Sequence, residues 1–275
     1  MIPDPSHRVP TAVWRDGFAE RDRAVPEETP VALSYNRLTH AVMMATPSDL
    51  EDFAVGFSRS EGIVSSVEQI EELELVAAEA GVECRMWIGV ALLDRLEQRR
   101  RSLAGPTGCG LCGLESLAEA VRLPPPVAAG FAVTPAEIHA AMEAMPPLQR
   151  LNLETRAVHA AAFWRRGEGL VALREDVGRH NALDKLSGAL ARGGVDGATG
   201  MVVMTSRISV ELVQKAAVIG TPILVAVSAP TRLALQVAEA AGMTLIGIAR
   251  RDGFEVFTHP HRVAGATQTF SRETS

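Results

Sequence analysis

Tyrosine occurs once in this chain, and aromatic residues together make up 4% of its 275 positions, against 47% hydrophobic residues overall. A core with so few rings must be filled by Ala, Val and Leu, which suits an α/β protein. Cysteine is nearly absent too, at three residues, and residues 1–28 carry no apolar leader core. A disulfide framework is therefore disfavoured, and a reducing, cytoplasmic setting is expected. No run approaches the roughly 18 apolar residues that a membrane span requires. An excess of positive charge is missing as well. The net charge of −6 argues against a general nucleic-acid binder, because neutralising phosphates needs a basic face, though local clusters leave room for a small anionic ligand. The length allows one large or two modest domains with a core that needs no covalent staple.

What the chain does have is a dense glycine-and-cysteine stretch, Gly105-Pro-Thr-Gly-Cys-Gly-Leu-Cys-Gly113. Its glycines remove side-chain bulk around Cys109 and Cys112, so the backbone can turn sharply and present both sulfurs outward. Leu114, Leu117, Ala118 and Val121 follow at helical spacing, which puts the thiols just before a helix N-terminus. Orphan N–H groups and the macrodipole there favour an anion, so a lowered thiol pKa is expected. Structural zinc is disfavoured because no second Cys or His pair stands at finger spacing. Zinc deaminase chemistry is rejected, since no histidine has Glu two residues on. A thioredoxin-like pair would follow a strand, without this glycine density. Gly108-x-Gly110-x-x-Gly113 matches a dinucleotide fingerprint by letter, but the preceding Arg99-Arg-Arg-Ser-Leu-Ala104 is no buried strand. A reactive, exposed thiol engaged in group transfer or redox work remains.

This stretch with the following Leu114-Glu-Ser-Leu117, and Glu175-Asp-Val-Gly-Arg-His-Asn-Ala-Leu-Asp-Lys185, resembles the formate dehydrogenase accessory sulfurtransferase family. The similarity runs from about Pro30 to Phe257 and takes in Tyr35-Asn36, His40-Ala-Val-Met-Met-Ala-Thr-Pro47, Leu50-Glu-Asp-Phe53 and Ser228-Ala-Pro-Thr231. The resemblance implies that sulfur from a cysteine desulfurase is held as a persulfide on Cys109, with Cys112 assisting or relaying. It implies delivery to the molybdenum bis(molybdopterin guanine dinucleotide) cofactor of formate dehydrogenase. By the same resemblance, Ile248, Ala249, Arg250, Arg251, Asp252 and Gly253 match the cofactor-contacting stretch, and the protein is a homodimer. Two positions depart from the pattern: Pro106 stands where many members carry Arg, and Arg156 follows Thr155 where many carry Gly.

Taken in order, residues 1–28 are polar and proline-punctuated, which predicts an extended or loosely ordered tail. Val31–Tyr35 and Leu38–Ala45 read as a hairpin turning at Asn36-Arg37. A helix follows with Ser48 as cap, Glu51 at capping-box spacing, and Gly62 as its stop. Val67–Leu73 is expected as a short helix, then strands over Leu73–Ala78 and Val82–Ile88. Cys84, on the second, suits packing better than catalysis. A helix over Val90–Leu103 ends on Arg99, Arg100 and Arg101, which serve either the macrodipole or the adjacent cysteines. Leu123-Pro-Pro-Pro126 is the best boundary, dividing an α+β region at 29–126 from a cofactor-binding α/β domain at 127–275. Thr134-Pro-Ala-Glu137 opens a helix reaching about Met145, and His139 on it is expected at the surface. His159–Trp164 and Leu170–Leu173 bracket a turn, with His159 better read as structural than catalytic. Asp176, Arg179, His180 and Lys185 suit either an internal salt-bridge network or ligand contact and proton transfer, with Asn181 or Asp176 as helix cap.

Met201–Thr205, Pro222–Val227 and Met243–Ala249 are apolar runs without alternation, alternating with helices over Ser209–Ile219 and Thr231–Ala241 that end on glycine. This βαβαβ order predicts a parallel sheet whose strand C-termini open on one edge, where ligands bind in open α/β sheets. Ser206, Arg207, Ser228, Thr231, Arg250 and Asp252 gather there, a suitable set for phosphate and a polar base. The element order, with the family resemblance, favours a deaminase-like three-layer sandwich plus a smaller N-terminal α+β region. A non-catalytic carrier or chaperone for formate dehydrogenase, and a thiol–disulfide oxidoreductase, remain as alternatives.

Overall fold

The computed structural model describes residues 1–103 and 123–266, with side chains through residue 98 and again from 123. Contacts divide the chain into two units that are discontinuous in sequence. The first comprises Met1–Arg122, Gln149–Ala161 and Arg174–Val195, and the second Leu123–Leu148, Ala162–Leu173 and Asp196–Ser275. The break at Arg122/Leu123 falls beside the proline run, but no single cut separates the units, because the chain crosses between them repeatedly.

The first unit is built on a sheet of order β4-β3-β6-β5, from β3 (Thr29–Tyr35), β4 (Leu38–Ala45), β5 (Ile70–Ala78) and β6 (Gly81–Ile88). Asn36 and Arg37 both have positive φ, 48° and 69°, as a two-residue hairpin matched to strand twist demands. The Asn36 amide also bonds both backbone groups of Ile88, joining the turn to β6. Helix α1 (Leu50–Ser60) lies on this sheet and buries Leu50, Phe53, Ala54 and Phe57 among Val31, Leu33, Tyr35, Cys84 and Met86. Full burial of a ring such as Phe53 makes its removal cost about 3–5 kcal/mol. Gly62, at φ 68°, follows the end of α1, and the Ile63 N–H returns to the Ser58 carbonyl at 2.9 Å, satisfying one of the last-turn carbonyls. Helix α2 (Val90–Leu103) follows β6.

The second unit carries β9 (Gly200–Met204), β10 (Ile223–Ala226) and β11 (Thr244–Arg250), paired in parallel. They belong to a six-stranded sheet of order β12-β11-β10-β9-β7-β8, with β7 (His159–Arg165), β8 (Gly169–Asp176) and an antiparallel β12 (Gly253–Val256). Every residue of β9 and β10 is buried, which explains why these runs lack polar alternation. Helix α3 (Pro135–Ala144) opens on a full capping box between Thr134 and Glu137. The described residues hold four further helices: α4 (Arg150–Thr155) and α5 (Arg179–Arg192) in the first unit, α6 (Val210–Ile219) and α7 (Arg232–Ala241) in the second. Gly220 and Gly242 cap α6 and α7 at φ 86° and 69°.

Several local expectations are corrected. Residues 6–26 are not a loose tail. They form an antiparallel hairpin of β1 (Ser6–Trp14) and β2 (Phe18–Pro26), anchored where the Arg23 guanidinium donates to the Thr155 carbonyl at 3.2 Å. Val67–Gln69 is a single 3-10 turn, and β5 already begins at Ile70, because the Glu-rich run pairs along β6. The residue entering α1 is Asp49, at φ 52° and without a side-chain cap bond, rather than Ser48. Helix α5 enters through Gly178 rather than Asn181 or Asp176, whose side chains are committed elsewhere. Among the described residues no helix is long and apolar enough to cross a membrane.

Candidate functional site

In the second unit, the connections leaving β9, β10 and β11 are bonded to one another beyond the strands. The Val227 N–H reaches the Met204 carbonyl at 3.2 Å. Ile208 donates to Ala229 at 3.4 Å and accepts from Thr231 at 3.0 Å, so residues 208 and 230 form an isolated parallel bridge. The Ile248 N–H donates to the Ser228 carbonyl at 3.3 Å. The expected binding edge is thus a continuous rim held by its own backbone.

The rim's side chains sit as the βαβαβ order requires. Ser206, 3% exposed, donates its hydroxyl to the Arg207 carbonyl, and Arg207 itself is exposed. Ser228 is half-buried, and Thr231 caps α7 by accepting from the Ala234 N–H at 3.3 Å. Arg250 closes the β11 ladder opposite Gly253, and Arg251 and Asp252 form the exposed turn between them. Ala249 is 1% exposed, backbone included, so the rim presents almost none of it. Two helix N-termini, hydroxyls and arginines lie on one rim, chemistry that suits an anion.

Sequence reasoning placed these residues but missed what shapes them. Ile248 has φ 52°, a left-handed conformation that β-branched residues rarely adopt, and no local sequence signal marks it. A Cβ on Gly247 would lie 2.9 Å from Phe257 Cε2, 3.0 Å from Pro230 Cδ and 3.1 Å from the Ser228 oxygen. A side chain at Gly247 would displace the Phe257 ring and press the 228–230 connection back by a few tenths of an ångström. That signal, a lone glycine inside an apolar strand, was present in the sequence.

In the first unit, the Glu175–Lys185 motif resolves into a buried knot. The Lys185 ammonium meets the Asp176 carboxylate at 2.7 Å, and both side chains are fully buried. Lys185 also donates to the Thr46 carbonyl at 2.9 Å. Asp176 accepts from the Thr46 N–H at 3.0 Å and from Gly178 at 2.8 Å, and Asn181 donates to Asp176 and to the Met44 carbonyl. Burial pushes the Lys185 pKa down, and Asp176 opposes that shift. Asp176, Asn181 and Lys185 therefore bind the motif to Met44 and Thr46 of the His40–Pro47 stretch; for them the salt-bridge alternative is the observed one. Glu175 does work no local pattern announced: its two oxygens accept the Leu151 and Asn152 N–H groups at 2.8 Å each, capping α4 from 23 residues downstream of Asn152. Arg156 ends that helix at φ 59°, a conformation that glycine adopts without strain and arginine does not, so the departure at this position carries a backbone cost that nothing in the structure explains.

His159 is half-buried at the start of β7, and its pKa is lowered by burial first and by the Arg179 guanidinium second. His139 is half-buried rather than fully exposed, with its ring 5.6 Å from that of Phe254. Cys84 is sealed in the core with its thiol pushed up to about 12 by burial, so it is unreactive. Cys109 and Cys112 lie outside the described residues, as do the side chains of Arg99, Arg100 and Arg101 and position Pro106. Among the described residues no group of three or more His, Cys, Asp or Glu side chains is placed to hold a metal ion.

Comparison with known proteins bears on the whole chain. The model of the FdhD/NarQ family matches residues 26–264. Sulfur carrier protein FdhD of Agrobacterium fabrum is 51% identical over 258 residues, covering 93% of this chain and 95% of that protein. The protein of the same name from Brucella abortus is 52% identical over 248 residues, with 90% and 92% covered. A crystal structure described as that of a formate dehydrogenase accessory protein from Desulfotalea psychrophila superposes with a TM-score of 0.74 at 28% identity, over 94% of this chain and 99% of that one.

Proposed function

The chain belongs to the FdhD/NarQ family, and on that premise we propose that it is a sulfurtransferase serving formate dehydrogenase. Cys109 thiolate attacks the terminal sulfur of a persulfide on a cysteine desulfurase. The desulfurase cysteine leaves as thiolate, and Cys109 carries the sulfur as its own persulfide. Cys112 then attacks the Cys109 sulfur, forming a disulfide and expelling sulfide toward the molybdenum of the bis(molybdopterin guanine dinucleotide) substrate; a thiol reductant reopens the disulfide. The guanine-nucleotide arms of that substrate rest on the rim, with Arg207, Arg250 and Arg251 against phosphate and Ser206, Ser228 and Thr231 supplying hydroxyls. Asp252 and Gly253 complete the contact stretch, Ile248 and Ala249 form the backbone that carries it, and the deaminase-like core expected from the sequence acts as a nucleotide platform. The protein works in the cytoplasm as a homodimer.

One observation carries this proposal: the Cys109-Gly-Leu-Cys112 pair falls inside the matched residues 26–264, and relatives at about half identity are named sulfur carriers. The hydrogen-bonded rim supports the acceptor half. The test is mass spectrometry of the peptide bearing Cys109 after incubation with a desulfurase and free cysteine. One added sulfur on Cys109, absent in Cys109→Ala, is the expected result. Maturation of formate dehydrogenase by a variant lacking both cysteines would point instead to a carrier. A cycling Cys109–Cys112 disulfide without bound sulfur would point to an oxidoreductase.

A further inference from the structure

Where β11 reaches the rim it gains a residue on β12. Gly247 stands opposite Glu255 and Arg250 opposite Gly253, three steps along one strand against two along the other. The extra residue makes a bulge, and inside it lies Ile248 at φ 52°. The surroundings hold it there: its N–H is bonded to the Ser228 carbonyl at 3.3 Å, the flanking Ala249 is buried, and Gly247 is closed in by Phe257 and Pro230. A backbone conformation this unfavourable persists only when its neighbours over-determine it, and such strain clusters at ligand sites.

The bulge has a directional consequence. Side chains alternate between sheet faces, so one inserted residue reverses the face of everything after it. In an unbulged pairing Ala249 would stand opposite Gly253, and Arg250 would fall into the connection. With the bulge, Arg250 is the last ladder residue, exposed, and only Arg251 and Asp252 remain in the turn.

We propose that Ile248 is a positioning residue, whose left-handed bulge sets the face on which Arg250 meets the phosphates of a guanine nucleotide. This rests on the rim being the nucleotide site. If instead the bulge only closes the β11–β12 hairpin, it contributes to stability and is indifferent to what Arg250 does.

The experiment is a double-mutant cycle on the full chain, with GDP as the probe, calorimetric affinities as the readout and melting temperature as the folding control. Arg250→Ala is expected to weaken GDP binding about tenfold or more, the loss of a charge-assisted hydrogen bond. Ile248→Pro cannot take a positive φ and has no N–H for Ser228, so it should weaken binding comparably. The double variant should bind no more weakly than either single one, because Arg250 has already been turned away. Ile248→Gly, which keeps the left-handed backbone, should bind about tenfold more tightly than Ile248→Pro. Should Ile248→Pro not fold, Gly247→Val, whose side chain crowds Phe257 and the 228–230 connection beside the bulge, takes its place in the same cycle. Losses that multiply in the double variant, or a lowered melting temperature with wild-type GDP affinity, overturn the proposal. Absence of GDP binding by the wild-type chain is a different signature, and it brings down the nucleotide site and this inference together.

Discussion

Gly56 and Gly188 face each other across α1 and α5, and neither position has room for a single carbon. A Cβ on Gly56 would lie 1.7 Å from the Asp184 carbonyl oxygen, and one on Gly188 would lie 1.9 Å from that of Asp52. The two backbones are therefore in contact, and polar side chains tie α1 to α5 and to Arg174 of β8. Asp52 meets Arg174 at 2.7 Å and Arg192 at 2.6 Å, Arg192 also meets Glu51, and Ser60 donates to Asp184 at 2.6 Å. Gly56→Ala or Gly188→Ala should lower unfolding stability by about 1–3 kcal/mol or more, as overpacking does when only backbone is available to yield. Urea unfolding checks this, and a variant within 0.5 kcal/mol of wild type, roughly the scatter of a surface change, would contradict the geometry.

Asp176 and Lys185 form a fully buried pair. Removing one partner strands the other without solvent, so Asp176→Asn or Lys185→Met should each cost about 3–5 kcal/mol. Replacing both with apolar residues of similar size should cost less than either alone. Chemical denaturation of the three variants decides it; simple additivity would mean the pair is not coupled.

His159 should titrate below its usual 6.5, since burial and then Arg179 disfavour its charged form. A base whose folded pKa is lowered binds its proton more readily when unfolded. Its contribution to stability is therefore present above the unfolded value and falls as pH drops from there toward the folded value. In Arg179→Ala the imidazole titration, followed by NMR, should move upward yet stay below 6.5, because the larger cause, burial, remains. No movement would place Arg179 away from the ring.

Glu137 joins the capping box to Arg166, and the Arg166 hydrogen bond is the largest cause holding its carboxyl down at about 2. Stability from this group is present above the unfolded carboxyl value of about 4.3 and is lost as pH falls through about 2. Glu137→Gln should therefore cost about 1 kcal/mol near neutrality. The difference from wild type should vanish by the low end of that window, as read by thermal melts across pH.

Cys109→Ala should abolish sulfur transfer and leave GDP affinity as it was, whereas Arg250→Ala and Arg251→Ala should weaken GDP binding and still accept sulfur from a desulfurase. Parallel persulfide mass spectrometry and calorimetry separate the two. Loss of both functions in either variant would mean the sulfur and nucleotide roles are not divided as proposed.

The parallel β9-β10-β11 core was legible from the sequence because its signals are local: unbroken apolar runs, caps at Ser209 and Thr231, and glycines at 220 and 242. The hairpin at Asn36-Arg37 was legible for the same reason, since turn chemistry lies within two residues. Position alone then put Ser206, Ser228 and Arg250 at strand ends. Tertiary structure decided the rest, because those features depend on partners far away in sequence. Asp176 and Glu175 became a buried counterion and a remote helix cap only when Lys185, Thr46 and Asn152 were brought to them. The hairpin of residues 6–26 is the exception: its partners are close in sequence, and Asp16-Gly17, with Asp16 at φ 56°, is a local turn signal that the polar, proline-punctuated composition masked. Ile248 holds a left-handed backbone that its own side chain resists, and it does so because Ser228, Pro230 and Phe257 close around that turn of the chain.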